Sequence, residues 1–174
     1  MKKNLIILSA LAITMASCGG GSTEKKAEPM KAPAKTSTTE EAAPAEEVPA
    51  VVEVVIEGND QMKFNLDKIE VHEGQTVKLT LKHVGTMAVE AMGHNWTLLA
   101  QGVDMADYAA AAVAAKDNDY QPADRSADVI AHTKTIGGGD EVTIEFTAPA
   151  KGTYTYVCTF PGHYGMMNGK FIVK

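Results

Sequence analysis

Apolar side chains along residues 51–174 come in short alternating runs broken by glycine, asparagine and aspartate. In TVKLTLKH (76–83), Val77, Leu79 and Leu81 share one face while Lys78, Thr80 and Lys82 share the other. That period of two is the pattern of a half-buried strand. EVTIEFT (141–147) repeats it, with Val142, Ile144 and Phe146 set against Thr143, Glu145 and Thr147, and TYTYVCT (153–159) aligns Tyr154, Tyr156 and Cys158. VVEVVIE (51–57), KIEV (68–71), NWTLLA (95–100) and GKFIVK (169–174) add further β-rich runs. Together they predict an all-β fold, a Greek-key sandwich of about eight strands. One stretch dissents. DMADYAAAAVAAKDNDY (104–120) is alanine-rich and free of glycine and proline, so it predicts one inserted helix with Asp104 as its cap.

The first fifty residues follow a different pattern. Residues 1–17 carry two lysines and then an apolar run from Leu5 to Ala16. That run is too short to span a bilayer and reads as an export signal. Met15-Ala16-Ser17-Cys18 resembles a bacterial lipobox, which implies cleavage before Cys18 and lipidation of that residue. Acyl chains contribute roughly 0.8 kcal/mol per buried methylene, so several together hold a protein on a membrane. Residues 19–50 are Gly, Ser, Thr, Pro, Ala, Lys and Glu with almost no large apolar side chain. Such a segment cannot bury enough surface to offset its ordering entropy and reads as a tether. The expected organisation is therefore a signal (1–17), a lipid-anchored linker (18–50) and one domain (51–174).

Charge narrows the choice further. The chain has 16 Lys+Arg and 22 Asp+Glu, a net charge of −6. Residues 1–50 are neutral overall, so the acidity belongs to the domain, which shows no basic patch and argues against nucleic-acid binding. There are two cysteines. With Cys18 committed to the anchor, Cys158 is a lone thiol in an exported chain, a liability unless something occupies it.

A metal is the natural occupant. CTFPGHYGMMNGK (158–170) places Cys158, His163 and Met167 in one loop. Trigonal His2Cys coordination with a weak axial methionine is how proteins build an electron-transfer copper site. The second histidine must come from His72, His83, His94 or His132. His94 is the strongest candidate. It follows Gly93, beside which the backbone can approach closely, and Asn95 next to it can brace the ligand loop by hydrogen bonds.

These residues resemble the azurins of the blue copper, or cupredoxin, family. GNDQMKFN (58–65), MGHNW (92–96), DVIAHTK (128–134) and CTFPGHYGMMNGK match azurin segments in order, and Cys-x4-His-x3-Met is the azurin spacing. The resemblance covers nearly all of residues 51–174. It implies a cupredoxin-like fold and one Cu(I)/Cu(II) ion held by His94, Cys158 and His163, with Met167 and the Gly93 carbonyl as weak axial contacts. It also implies that Asn95 and the backbone after Cys158, at Phe160, pin the thiolate and tune its potential.

The same resemblance gathers Met62, Met87, Met92 and Met166 with Phe160, Pro161 and Gly162 around His163. That would be an apolar patch for redox partners such as cytochromes, oxidases or reductases. His83 falls where azurins also carry a histidine near the site. The disulfide usual in azurins is missing, since its positions fall near Val52 and Gln75. The function expected is that of an electron carrier in the bacterial envelope or periplasm, held to a membrane through Cys18, and not that of an enzyme. An oxidase or reductase domain would need a second copper centre, for which the spare histidines are too few. A copper-delivery protein would need an open, multiply thioether-ligated site.

Overall fold

The computed structural model describes residues 49–174. The expected signal, Cys18 and the linker as far as residue 48 lie outside the described residues. Among the described residues nine strands form two sheets. The first runs β2 (Lys63–Phe64), β1 (Val51–Asn59), β4 (Thr76–His83), β7 (Glu141–Thr147). The second runs β3 (Lys68–Val71), β9 (Asn168–Val173), β8 (Gly152–Val157), β5 (Thr97–Leu99), β6 (Val129–His132). β1 pairs β4 in parallel and β3 pairs β9 in parallel, while the other pairings are antiparallel. The expected sandwich is present, with the two-residue β2 and the four-residue β6 as the strands that no alternating run announced.

The alternation predicted for residues 76–83 holds along β4, where Val77, Leu79 and Leu81 are fully buried. His83 continues the same parity and is buried too. Between the sheets Trp96 lies against Tyr156, Phe146 and Phe171, with ring centroids 5.8, 5.7 and 6.2 Å away. Burying a side chain of this kind stabilises the fold by about 1.5–3 kcal/mol relative to leaving it in water. Where azurins carry a disulfide, Gln75 Nε2 donates to the Pro49 carbonyl at 2.6 Å and Thr76 N donates to the Ala50 carbonyl at 2.9 Å. Hydrogen bonds and the β1–β4 pairing hold the start of the domain there.

Two elements differ from the sequence expectation. The helix expected over 104–120 is α-helical only from Met105 to Ala112, which is α2 once α1 (Val89–Met92) is counted. Asp104 caps it, its Oδ1 accepting from Asp107 N at 2.8 Å. Beyond Ala112 the chain tightens into a 3-10 segment, Val113–Asn118, and then turns with positive φ at Asp119 and Tyr120. The reason is tertiary: the Asp119 carbonyl accepts from Asn95 Nδ2 at 2.8 Å, and a straight helix could not deliver it there. Likewise β5 starts at Thr97, since Asn95 and Trp96 belong to a loop that closes one pole of the sandwich.

Candidate metal centre

That pole collects the chemistry. β1 ends at Asn59, β4 ends at His83, and β8 ends one residue before Cys158. The loop after Cys158 doubles back through His163 N to the Phe160 carbonyl (3.1 Å) and Met167 N to the His163 carbonyl (2.9 Å). Cys158 N then donates to the Met167 carbonyl at 2.8 Å and closes the loop. Gly162 turns the chain with φ +85°, a conformation in which a Cβ is strained. Cys158, His163 and Met167 are thereby all buried at one point.

His94 arrives from the other side. It is tied to Ile136 by two backbone hydrogen bonds, 3.0 and 2.9 Å, and its ring stacks on His83 with centroids 4.3 Å apart and planes at 13°. His94 Nε2 donates to the Asn59 carbonyl at 3.0 Å, so Nδ1 carries the lone pair. That nitrogen is buried without a hydrogen-bond partner, a state that costs about 1–3 kcal/mol unless something else engages it.

A donor nitrogen, the Cys158 sulfur and a His163 nitrogen all lie within 4.8 Å of one another, and Sγ is 3.7 Å from His163 Nδ1. A Cβ on Gly58 would come within 2.7 Å of His94 Cδ2 and 3.3 Å of Met167 Cε. The bare glycine is what lets the imidazole and the thioether sit side by side. An unpartnered imidazole nitrogen, a thiol, a second imidazole and a thioether fit a copper ion.

The surroundings hold these groups still. Asn95 Oδ1 accepts from Thr159 N at 2.8 Å, and Asn95 Nδ2 donates to Thr159 Oγ1 at 2.8 Å. His83 Nε2 donates to the Met92 carbonyl at 2.8 Å, and its Nδ1 accepts from Gly85 N at 3.1 Å. The Phe160 ring lies 4.8 Å from that of His163. The bracing expected of Asn95 is therefore present. The inward parity that His83 shares with Leu79 and Leu81 made its burial legible, but not its packing on His94. His72 and His132, the other candidates, are exposed and outside this cluster.

The patch residues divide. Met166 (55 % exposed), Pro161 and Gly162 reach the surface, as does Met87 (40 %). Met62 and Met92 are half-buried, and Met62 packs against the cluster containing Cys158, Phe160 and Met167.

The chain matches the family described as copper binding proteins, plastocyanin/azurin family, over residues 50–174. It belongs to that family. Outer membrane protein H.8 of Neisseria gonorrhoeae is 44 % identical over 118 residues, covering 66 % of this chain and 63 % of that protein. This chain thus spans under two thirds of the length of that relative. Auracyanin-A of Chloroflexus aurantiacus is 34 % identical over 172 residues, covering 98 % of this chain and 94 % of the relative. The solved structure of auracyanin A, described as a "blue" copper protein, superposes with a TM-score of 0.64 at 38 % identity, over 71 % of this chain and 99 % of that one.

In this cupredoxin the cluster of His94, Cys158 and His163, with Met167 beside it, matches a type 1 copper site. Proteins of the family are in general electron carriers and not enzymes.

Without metal these groups are tuned toward their neutral forms. Burial pushes the Cys158 thiol up to about 11, against hydrogen bonds from the backbone of Asn95 and Phe160 that favour the thiolate. Burial, helped by the nearby His94 and His83 rings, pushes His163 down to about 4. Burial also lowers His94, partly offset by the Asn59 carbonyl.

The linkage has a definite sign. From about pH 6.5 down to 4 the unfolded chain takes up a proton at residue 163 before the folded one, so stability is lost as pH falls. Above pH 9 the unfolded thiol ionises first, so stability is lost again toward pH 11. The copper-free protein is therefore expected to be most stable between about pH 6.5 and 9. The acid-side loss is on the order of 3 kcal/mol. Urea denaturation of the copper-free protein at pH 4.5, 7.5 and 10.5 checks this, and a flat profile would contradict it.

Proposed function

We propose that this chain is a lipid-anchored type 1 copper protein that shuttles single electrons between redox partners of the bacterial envelope. The observation that carries the reading is the buried convergence of His94, Cys158 and His163 with an imidazole nitrogen left unpartnered. His94 Nδ1, the Cys158 thiolate and His163 Nδ1 would be the strong ligands, with Met167 and the Gly93 carbonyl the weak ones. A bound copper ion supplies a one-electron couple.

The chain's own contribution is to keep the donors where they are in both oxidation states. The Asn59 carbonyl and the His83 ring fix the His94 plane. Backbone N–H groups of Asn95 and Phe160 favour the thiolate by hydrogen bonding. Interior packing excludes water from Cys158 and Met167. A site that does not rearrange costs little reorganisation energy.

His163 would be the electron portal. Pro161, Gly162 and Met166 are exposed around its loop, and an apolar surface of that kind suits brief docking of a redox protein. Met62 and Met92 would form its inner edge.

The expected arrangement of a signal over 1–17, lipidation at Cys18, a tether over 18–50 and an azurin-like domain over 51–174 completes the proposal. The likeness to auracyanin-A over 98 % of the chain supports a shared N-terminal layout, and the name of the H.8 relative supports an envelope location. β1 enters the domain at Val51 and reaches the His94 partner only at its far end, Asn59.

The test is to express the full chain in a bacterial host, fractionate it, and record voltammetry of the copper-loaded protein. The wild type is expected in the membrane fraction and Cys18→Ala in the soluble one, both giving a reversible one-electron wave. Release of copper on reduction would favour a delivery protein, and a soluble wild type would remove the anchor.

A further inference from the structure

Behind the Cys158 loop the Asn95–Thr159 pair continues into a buried polar chain through Gln121, Thr97 and Tyr108 that the copper reading does not use. Gln121 Nε2 donates to Thr97 Oγ1 at 2.8 Å, and more weakly to Thr159 Oγ1 at 3.3 Å and to the Asp119 carbonyl at 3.4 Å. Gln121 Oε1 accepts from Tyr108 Oη at 2.9 Å. Thr159 Oγ1 in turn donates to the Tyr120 carbonyl at 3.1 Å and accepts from Asn95 Nδ2. Tyr108, Thr97, Asn95 and Thr159 are at most 1 % exposed, and Gln121 is 5 % exposed. The Arg125 guanidinium sits 5.2 Å over the Tyr108 ring while pairing with Asp107 and Asp128, which holds the ring from outside.

Every polar atom in this chain finds a partner, and its order is α2, Gln121, Thr159, Asn95. Thr159 directly follows Cys158, and its N–H donates to Asn95 Oδ1 at 2.8 Å, which holds Asn95, whose own N–H favours the thiolate, against the Cys158 loop. We propose that Gln121 is a positioning residue for the copper thiolate: with Tyr108 it forms a post that sets Thr159 and Asn95, and so couples helix α2 to the Cys158 loop. Hydrogen bonds to a thiolate withdraw electron density from it and favour the reduced metal. Loosening the post weakens the donor from Asn95 and lowers the reduction potential. A glutamine filling space alone would have no such effect. The inference rests on the copper reading above, and its test has an arm that does not.

The experiment uses the full chain as wild type, Gln121→Met, Tyr108→Phe and the double variant. Ser126→Ala, on the rim of the adjoining cavity, serves as a control. In the copper-free protein, hydrogen exchange at the Thr159 amide is read relative to Tyr156 in β8. With Cu(II) bound, reduction potential and copper hyperfine splitting are read.

Gln121→Met is expected to lose about tenfold in relative protection at Thr159, to lower the potential and to change the splitting. Tyr108→Phe, which removes one oxygen and keeps the ring, is expected to shift all three in the same direction by less. The double variant should match Gln121→Met alone, the non-additivity of groups acting through one contact. Ser126→Ala should match wild type.

Variants that melt earlier but keep wild-type exchange at Thr159, potential and splitting would overturn the post. If Gln121→Met does not fold, Tyr108→Phe decides by the same readouts. A wild type that is not blue would sink the copper reading, while Thr159 exchange would still decide whether the post exists.

Discussion

Cys158→Ser is expected to abolish the intense blue absorption of the copper-loaded protein and to widen its narrow Cu(II) hyperfine splitting to that of ordinary tetragonal copper. Both signatures come from a covalent copper–thiolate bond, which a serine hydroxyl cannot supply: it is a hard donor and stays protonated at neutral pH. The sulfur is fully buried and 3.7 Å from His163 Nδ1, and among the described residues no further cysteine, aspartate or glutamate joins the cluster to take over its position. Serine is smaller and keeps the backbone hydrogen bond from residue 158 to the Met167 carbonyl, so the fold should survive. Copper affinity should fall by several orders of magnitude, with His94 and His163 left as a two-nitrogen site. Visible and EPR spectra with one equivalent of Cu(II) check this. A blue variant would mean that the thiolate is not the principal ligand.

Trp96→Ala carries the largest expected loss of stability. Trp96 is fully buried among Tyr156, Phe146 and Phe171, and its backbone is tied to Thr133, Trp96 N to Thr133 Oγ1 (3.0 Å) and Thr133 N to the Trp96 carbonyl (2.9 Å). Truncating a residue of this size leaves a cavity and costs about 3–5 kcal/mol. That is a large share of a total that is typically about 5–15 kcal/mol. Among the described residues no disulfide shares the load, since Cys158 is free.

For a domain of this size the loss corresponds to a fall in Tm of roughly 10–20 °C. Trp96→Phe, which keeps an aromatic ring in the stack, should lose much less. Thermal denaturation of the copper-free forms, followed by circular dichroism, measures both. Equal effects of the two substitutions would show that the core closes around the gap. Since Trp96 lies two residues from His94, the alanine variant should also bind copper less tightly than Trp96→Phe.

Much of the molecule can be read in the chain because the relevant signals are local. Alternation in residues 76–83 and 141–147 depends only on which face of a strand meets water, so it announced β4, β7 and their inward residues correctly. The Cys-x4-His-x3-Met spacing lies in one loop whose turn is set by Pro161 and Gly162, so Cys158, His163 and Met167 were legible as a unit. Asn95, next to His94, was legible as a brace. Other features depend on partners distant in sequence. The α2 helix stops at Ala112, because the Asp119 carbonyl is drawn to Asn95, 24 residues away. Met62 turns inward, because Phe160 and Met167 arrive beside it.

Residue order and side-chain chemistry by themselves determined a β-sandwich and a loop that gathers Cys158, His163 and Met167, with His94 the strongest of four candidates to join them. Only the tertiary structure decided that His83 stacks on His94, that His94 Nδ1 is the nitrogen left open, and that Gln121 stands behind Thr159. Each of these is a contact between segments that no local pattern links, made when the two sheets close and the polar groups trapped between them must find partners or remain unsatisfied.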